Sequence, residues 1–363
     1  MRLGVEAALA GGRLVPGDVE ISDGRVVRYG VETANGRGIA SPGFVDLQVN
    51  GFGGVDFSAA DAPGYDRAGE ALLETGVTAY LPTLITAPEE SLTAALAAVP
   101  PAAKGPRILG VHIEGPFLSA ARMGTHTLAS RRDPDPVLLA RLLDAGPVRM
   151  VTLAPELPGA LELIDALLAG GIAVSFGHSD ATAEEADVGF DRGVRTVTHL
   201  FNAMRPFRHR DPGIAGAALV RDDVIVQLIL DGYHLDPVAA RLVWRAAAGR
   251  VALVTDAMAG AGHGDGRYRL GDVEVEVRDG SARRGDDVLA GSVLTMVEAI
   301  RNLHALGVPL ADALHAATAV PARVLGEPGL GVIERGAPAD VVVLDDNLEI
   351  ERVLVAGEDL VAA

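Results

Sequence analysis

Along the middle of this 363-residue chain, short apolar runs end one after another in a residue able to do chemistry. That recurrence limits the folds open to it. RILGVHIEGP (107–116) closes on Glu114, IAVSFGHS (172–179) on His178, and VRTVTHLFN (194–202) carries His199. The run from 224 ends in DGYH at His234, and VALVTDAM (251–258) holds Asp256. Val- and Ile-rich runs of this length, separated by helix-like segments, are the sequence form of buried parallel strands. Residues 43–49, 77–81 and 148–153 supply three more, making eight. Between them, 89–98, 136–145, 160–169 and 237–248 repeat apolar positions every three or four residues, as a helix lying on a barrel requires. Residues 180–193 are more acidic and keep one face in water. The pattern predicts an α/β fold, a (β/α)8 TIM barrel with its chemistry gathered at the carboxyl ends of the strands.

A barrel needs roughly 250 residues, so the chain has room for a second unit. GGRLVPGDVEISDGRVVRYG (11–30) is short, alternating and turn-punctuated at Pro16-Gly17 and Asp23-Gly24, and 331–346 and 350–361 have the same character. Residues 1–41 and 331–363 are therefore expected to pair as a small β-sandwich domain, with 42–330 forming the barrel. After Asp256 the rhythm breaks. YRLGDVEVEV (268–277) and DDVLAGS (286–292) predict a β-hairpin insertion over about 265–291 that shapes a substrate pocket, ahead of a helix over 292–306. Residues 310–325 read as two helices, with Pro321 in the first turn of the second.

Composition excludes several function classes. No apolar stretch approaches the ~20 residues of a membrane span, and the amino terminus lacks a signal-like segment, so a cytoplasmic location is expected. With Cys 0 there are no disulfides, thiolate ligands or cysteine nucleophiles. A net charge of -18 argues against nucleic acid or an anionic membrane as partner. An anionic small molecule would need a local basic patch. Lys104 is the sole lysine and precedes the strand at 107, at the wrong end of a barrel for catalysis. A Schiff-base lysine, or a carboxylated lysine bridging two metals, is hard to place.

Glu114, His178 and His199 make the best metal set. Zn²⁺ and similar ions accept imidazole and carboxylate together, and three protein ligands leave a position for water whose pKa the ion lowers towards ~7. Any one of these residues alone reads as a satisfied polar group at a strand end; three ligand-type residues at three strand ends argue for a shared purpose. Asp256 is the candidate general base, its bland alternative a helix N-cap. His126 in MGTHTL and His234 lie on loops after strands, where they can touch substrate or simply sit in turns. RPFRHR (205–210) is either a phosphate-binding cluster or a solvated basic loop.

PGFVDLQVNG (42–51), GVHIEGPF, MGTHT, TLAPE (152–156), GHSDAT, THLFNAM, DGYH, VTDAM and AGSVLTM (290–296) together resemble the N-acetylglucosamine-6-phosphate deacetylases of the amidohydrolase superfamily. The resemblance covers nearly the whole chain in the family's order. It implies a metal-dependent barrel with a β-sandwich, hydrolysing the sugar's acetamido group to acetate and glucosamine 6-phosphate. Glu114, His178 and His199 match the family's ligands for one divalent ion per subunit, Zn²⁺ or another such as Fe²⁺. Asp256 matches the catalytic acid/base, and His126 the residue that polarises the acetyl carbonyl. Asn202 and Ala203 match substrate contacts, His234 a contact near the phosphate, and Leu289, Ala290 and Gly291 a pocket-lining stretch. Arg210 matches an arginine that reaches the phosphate across a dimer interface, so a homodimer, or a homotetramer of dimers, is expected.

Many relatives in the superfamily carry His-x-His at the end of the first strand, where this chain has Gln48-Val49-Asn50. Neutral amides are poor substitutes for imidazole, which favours a single metal. The roles of Arg205 and Arg208 stay open, as does the preferred epimer, since N-acetylgalactosamine 6-phosphate differs by one hydroxyl. Deaminases, dihydroorotases and dipeptidases of the superfamily use other ligands at the first and fourth strands. A sugar-phosphate sensor, the alternative from another class, has no need of Asp256.

Overall fold

The computed structural model describes residues 1–285 and 288–362. Asp286 and Asp287, which begin the expected strand at 286–292, and the terminal Ala363 of the expected 331–363 segment lie outside the described residues. Eight parallel strands form the centre: β1 (Phe44–Val49), β2 (Val77–Ile85), β3 (Val111–Glu114), β4 (Val148–Leu153), β5 (Ala173–Phe176), β6 (Thr196–Val197), β7 (Ile225–Leu228) and β8 (Val251–Leu253). Each pairs with the next in chain order. All nine residues of β2 and all six of β1 are buried, without alternation. A strand covered by side chains inside and helices outside has no wet face. The ring closes beyond the strand ends, where Val49 bridges Ala257 in parallel. There the Asp256 N–H donates to the Gln48 carbonyl (2.9 Å) and the Asn50 N–H to the Ala257 carbonyl (2.7 Å). The chain is a (β/α)8 barrel.

The helices at Glu89–Ala98, Pro136–Ala145 and Ala160–Ala169 begin and end where apolar spacing places them, and the fourth is shorter, Pro237–Ala246. Asp135 and Asp236 cap two of them ahead of a proline in the first turn, where its missing N–H costs nothing. Thr182 and Thr295 form capping boxes with Glu185 and Glu298, so the helix expected from 292 starts at Met296.

Two strand assignments need correction. The run 107–116 is not one strand: Arg107–Ile108 pairs only with β2, and β3 starts at Val111. Gly110 separates them at φ +119°, and a Cβ there would lie 2.7 Å from the Pro147 carbonyl oxygen. The insertion after β8 is a four-stranded antiparallel sheet, not a hairpin: Gly266–Leu270, Val273–Arg278, Ser281–Arg284 and Val288–Leu289. Gly271 (φ +56°) folds the alternating run 268–277 back on itself, and Asp279-Gly280 (φ +52° and +76°) turns it again. Leu270, Val273, Val275 and Val277 then face Ile85 and Met258 of the barrel mouth.

The two ends of the chain meet in a six-stranded sheet containing Ala7–Ala10, Ile39–Pro42 and Val341–Leu344, where Ala7–Ala10 runs parallel to Ile39–Pro42. A two-stranded layer, Asp18–Ser22 and Arg25–Val31, completes a β-sandwich around Val5, Val19, Ile21, Val26, Val341 and Leu354.

The barrel interior is polar in places. Asp46 is fully buried between β1 and the end of β8, accepting hydrogen bonds from Thr255 Oγ1 (2.6 Å) and from the Gln48 N–H (3.2 Å). Burial pushes its carboxyl up to about 7 against those hydrogen bonds. Between about pH 4 and 7 the folded chain therefore binds more protons at Asp46 than the unfolded chain, so this group's contribution to stability falls as pH rises through that window. An amide would accept the same N–H bonds and donate to Thr255. Asp46→Asn should thus gain stability on wild type by on the order of 1 kcal/mol per pH unit from about pH 4 to 7, read by denaturant unfolding. A constant difference across the window would contradict the assignment.

Candidate metal centre and substrate pocket

The functional side chains sit just past the carboxyl ends of the strands. Glu114 ends β3, while His178 and His199 lie two residues beyond β5 and β6, and Asp256 three beyond β8. The last three adopt left-handed backbone, φ +49°, +29° and +50°. Such conformations cost roughly 1–3 kcal/mol each in a non-glycine residue and persist where surroundings hold them. At Gly177 a Cβ would approach Thr152 Cγ2 to 2.8 Å, so glycine lets the chain turn tightly before His178.

Glu114 Oε1 stands 3.0 Å from His178 Nε2 and 2.9 Å from His199 Nε2, and all three side chains are buried. His178 Nδ1 is 2.9 Å from the Arg122 carbonyl, which can only accept, so that nitrogen carries the proton. In the neutral ring Nε2 then turns a lone pair towards a carboxylate oxygen, an arrangement that calls for a cation between them. The separations are near the ~3.3 Å edges of a tetrahedron with bonds of ~2.0 Å. Although burial disfavours its charge, the His126, His178 and His199 imidazoles around it hold the Glu114 carboxyl well below the usual range. The residues present fit a divalent ion.

His126 Nε2 lies 3.6 Å from Glu114 Oε2. Its Nδ1 accepts from the Thr86 N–H (3.3 Å) and faces Thr86 Oγ1 (2.9 Å), which leaves the ring proton on Nε2, towards the site. Burial pushes His126 down to about 4, so the ring is a neutral donor near pH 7. Asp256 Oδ1 accepts from Gln48 Nε2 (3.0 Å) and Asn50 Nδ2 (2.7 Å). The two residues noted in sequence for what they lack thus act as donors to Asp256. Burial and the Glu114 charge push Asp256 up to about 6, close to the range useful to a general base. It caps no helix; the next begins at Met296.

These groups share a cavity of about 300 Å³. Asn202, Ala203, His234, Leu289 and Gly291 line it as well, while Ile85, Leu270 and Val288 give it an apolar wall. Ala290 does not reach the cavity; it is buried in the core of the inserted sheet. Arg210 stays outside too, exposed at the tip of a turn closed by two backbone hydrogen bonds between Arg208 and Asp211. Among the described residues, no arginine or lysine lines the cavity. Arg205 is engaged elsewhere, bonding Asp211 Oδ1 (2.7 Å) and the Asp180 carbonyl (3.2 Å), so it braces the Arg210 turn. Sequence reasoning did not single out Thr86, the Arg122 carbonyl or Asp231. Of these only Asp231 had a visible signal, an acid three residues before the DGYH histidine.

Replacing Glu114, the one ligand shared by both imidazoles, should disable the centre. Glu114→Gln should bind a divalent ion at least ~100-fold more weakly, as measured by metal titration of the apo protein. Unchanged affinity would exclude Glu114 as a ligand.

The amidohydrolase family model matches residues 39–360. The human (Homo sapiens) N-acetylglucosamine-6-phosphate deacetylase is 40% identical over 381 residues, spanning 96% of this chain and 93% of that protein. An N-acetylgalactosamine-6-phosphate deacetylase of Escherichia coli O157:H7 is 37% identical, spanning 87% of this chain and 86% of its own length. Among solved structures, a mutant N-acetyl-D-glucosamine-6-phosphate deacetylase of Mycobacterium smegmatis in complex with N-acetyl-D-glucosamine-6-phosphate superposes with a TM-score of 0.95 at 39% identity, covering 100% of this chain and 99% of that one. The Thermotoga maritima N-acetylglucosamine-6-phosphate deacetylase does so with a TM-score of 0.92 at 32% identity, covering 100% of both chains. With the buried Glu/His/His group at the mouth of its barrel, this chain belongs to the amidohydrolase family.

Proposed function

We propose that this protein hydrolyses the acetamido group of N-acetylglucosamine 6-phosphate, yielding glucosamine 6-phosphate and acetate. The observation that carries the reading is the convergence of Glu114, His178 and His199 in one cavity with Asp256 and the neutral donor His126. The likeness to a Mycobacterium smegmatis protein solved with that sugar phosphate supports the substrate. A divalent ion held by Glu114, His178 and His199, with Zn²⁺ or Fe²⁺ both suited to the set, would polarise the acetyl carbonyl and acidify a water. Asp256 takes a proton from the attacking water as the new C–O bond forms. His126 Nε2–H steadies the oxyanion that develops on the acetyl carbonyl. Asp256 then returns the proton to the sugar nitrogen, the C–N bond breaks, and acetate and the free amine leave. Gln48 and Asn50 hold Oδ1 of Asp256, so that Oδ2 handles the proton.

Among the described residues, no basic side chain of this subunit other than histidine reaches the cavity, which supports a homodimer in which Arg210 of one subunit grips the phosphate held by the other. Asn202, Ala203, His234, Leu289 and Gly291 would position the sugar. The absence of cysteine and a phosphorylated substrate agree with a cytoplasmic enzyme, and the two-layer unit built from the chain ends with a stabilising domain apart from the chemistry.

Acetate release from N-acetylglucosamine 6-phosphate, with bound metal counted in the same sample, tests the reaction. Turnover should require close to one ion per chain, and Asp256→Asn should lower kcat by on the order of 10³-fold with metal content unchanged. Activity should fall as Asp256 takes up a proton, placing the acid limb of the pH profile at or below about 6, since a bound cation favours the carboxylate. Mixing Arg210→Ala with Asp256→Asn subunits should restore part of the activity if the arginine works across the interface. Tight sugar-phosphate binding without turnover of either the gluco or the galacto epimer would instead make the protein a sensor.

A further inference from the structure

The loop after β7 pairs His234 with Asp231, an acid that the reaction as described does not use. Asp231 Oδ1 accepts the backbone N–H groups of Tyr233 (2.9 Å) and His234 (2.8 Å), which shapes the turn. Its Oδ2 lies 2.7 Å from His234 Nδ1, and the two side chains are only 7% and 6% exposed. His234 Nε2 is thereby the one ring nitrogen left for the cavity that His234 lines. We propose that Asp231 is a positioning residue that fixes the proton on His234 Nδ1, so that Nε2 donates to an anionic substrate oxygen only while the imidazole is a cation. This rests on the reading of the cavity as a sugar-phosphate site.

The physical argument is one of valence. A carboxylate can only accept, so Nδ1–H is retained in both charge states of the ring. Burial disfavours the Asp231 charge, but the contact with His234 and the two turn N–H groups hold the carboxyl below its usual range, so it stays ionised at working pH. When the ring loses a proton it loses it from Nε2, and a donor on the cavity wall becomes a lone pair. Sharing the cavity with His234 are Asp256 and the Glu114, His126, His178 and His199 group. The inserted sheet places Glu276, Arg278 and Arg283 in the outer cleft beside Tyr233, whose hydroxyl donates to the Asp279 carbonyl. The helix Met296–Ala305 presents neutral Asn302, bonded to the Leu230 carbonyl. Asp236 is occupied in capping the helix that follows.

Asp231→Asn separates tautomer control from turn shape. The amide oxygen can accept the same two N–H groups, while the amide nitrogen donates to Nδ1 and moves the neutral ring's proton to Nε2, making it a donor at every pH. Binding of N-acetylglucosamine 6-phosphate would be measured by calorimetry in the metal-loaded Asp256→Asn background, at pH values above about 7, where the ligand's own second ionisation (~6) is complete. With Asp231 present, Kd should rise with pH, by at most ~10-fold per pH unit for the loss of one proton from the bound complex. With Asp231→Asn, Kd should be flat, and His234→Gln, a permanent donor, should be flat too. In the enzyme with Asp256 intact, Asp231→Asn should change KM and leave kcat within about 2-fold, since the pair does not touch the reacting bond. Parallel pH curves with and without the Asp231→Asn change, or an equal loss of affinity at every pH, would overturn the proposal and leave Asp231 a turn residue. Failure of every protein to bind the sugar phosphate would instead refute the substrate reading.

Discussion

Closure of the ring between its first and last strands is the constraint on which the site depends. The hydrogen bonds from Asp256 N–H to the Gln48 carbonyl and from Asn50 N–H to the Ala257 carbonyl join segments far apart along the chain. The same closure brings the Gln48 and Asn50 side chains against the Asp256 carboxylate. A backbone ladder thus places the general base, and two neutral amides fix one of its oxygens. Because amides bring no charge, Asp256 keeps the raised affinity for protons that burial and Glu114 give it.

Around that seam the protein trades backbone comfort for convergence. His178, His199 and Asp256 all take left-handed conformations just where strands give way to loops. An extended strand would send alternate side chains inward and outward along the barrel wall; a sharp turn at its end tips them over the mouth. Support comes from below, where His112 bonds Thr152 (2.7 Å), and Thr152 and Ser175 bond Thr198 (2.7 and 2.6 Å). These buried polar groups are satisfied by one another, and such networks rigidify the floor on which metal ligands stand.

Much of this is legible in the sequence because buried parallel strands and amphipathic helices leave periodic traces. Glu114, His178, His199 and Asp256 stand out because each closes an apolar run. What stays hidden has local causes. The break at Gly110 depends on the approach of Pro147 and Arg149, which no local pattern encodes. The inserted sheet reads as a hairpin because Gly271 turns a run whose alternation is unbroken on either side. Thr86 and the Arg122 carbonyl orient histidines 40 and 56 positions away, so neither has a neighbouring motif to betray it. The motif around Ala290 points it into the pocket, yet in an antiparallel strand return its neighbours Leu289 and Gly291 face the cavity and it faces the core.

The sequence by itself determined the fold class, the order of strands and helices, and the chemical types available, since these follow from periodicity and composition. Tertiary structure decided which atoms meet: which ring nitrogen of His126, His178 and His234 carries a proton, which oxygen of Asp256 is held, and that Arg205 braces a turn while Arg210 stays outside its own cavity. Those are questions of direction and distance at the level of a hydrogen bond, set by the closing of the barrel and the packing of loops that lie far apart along the chain.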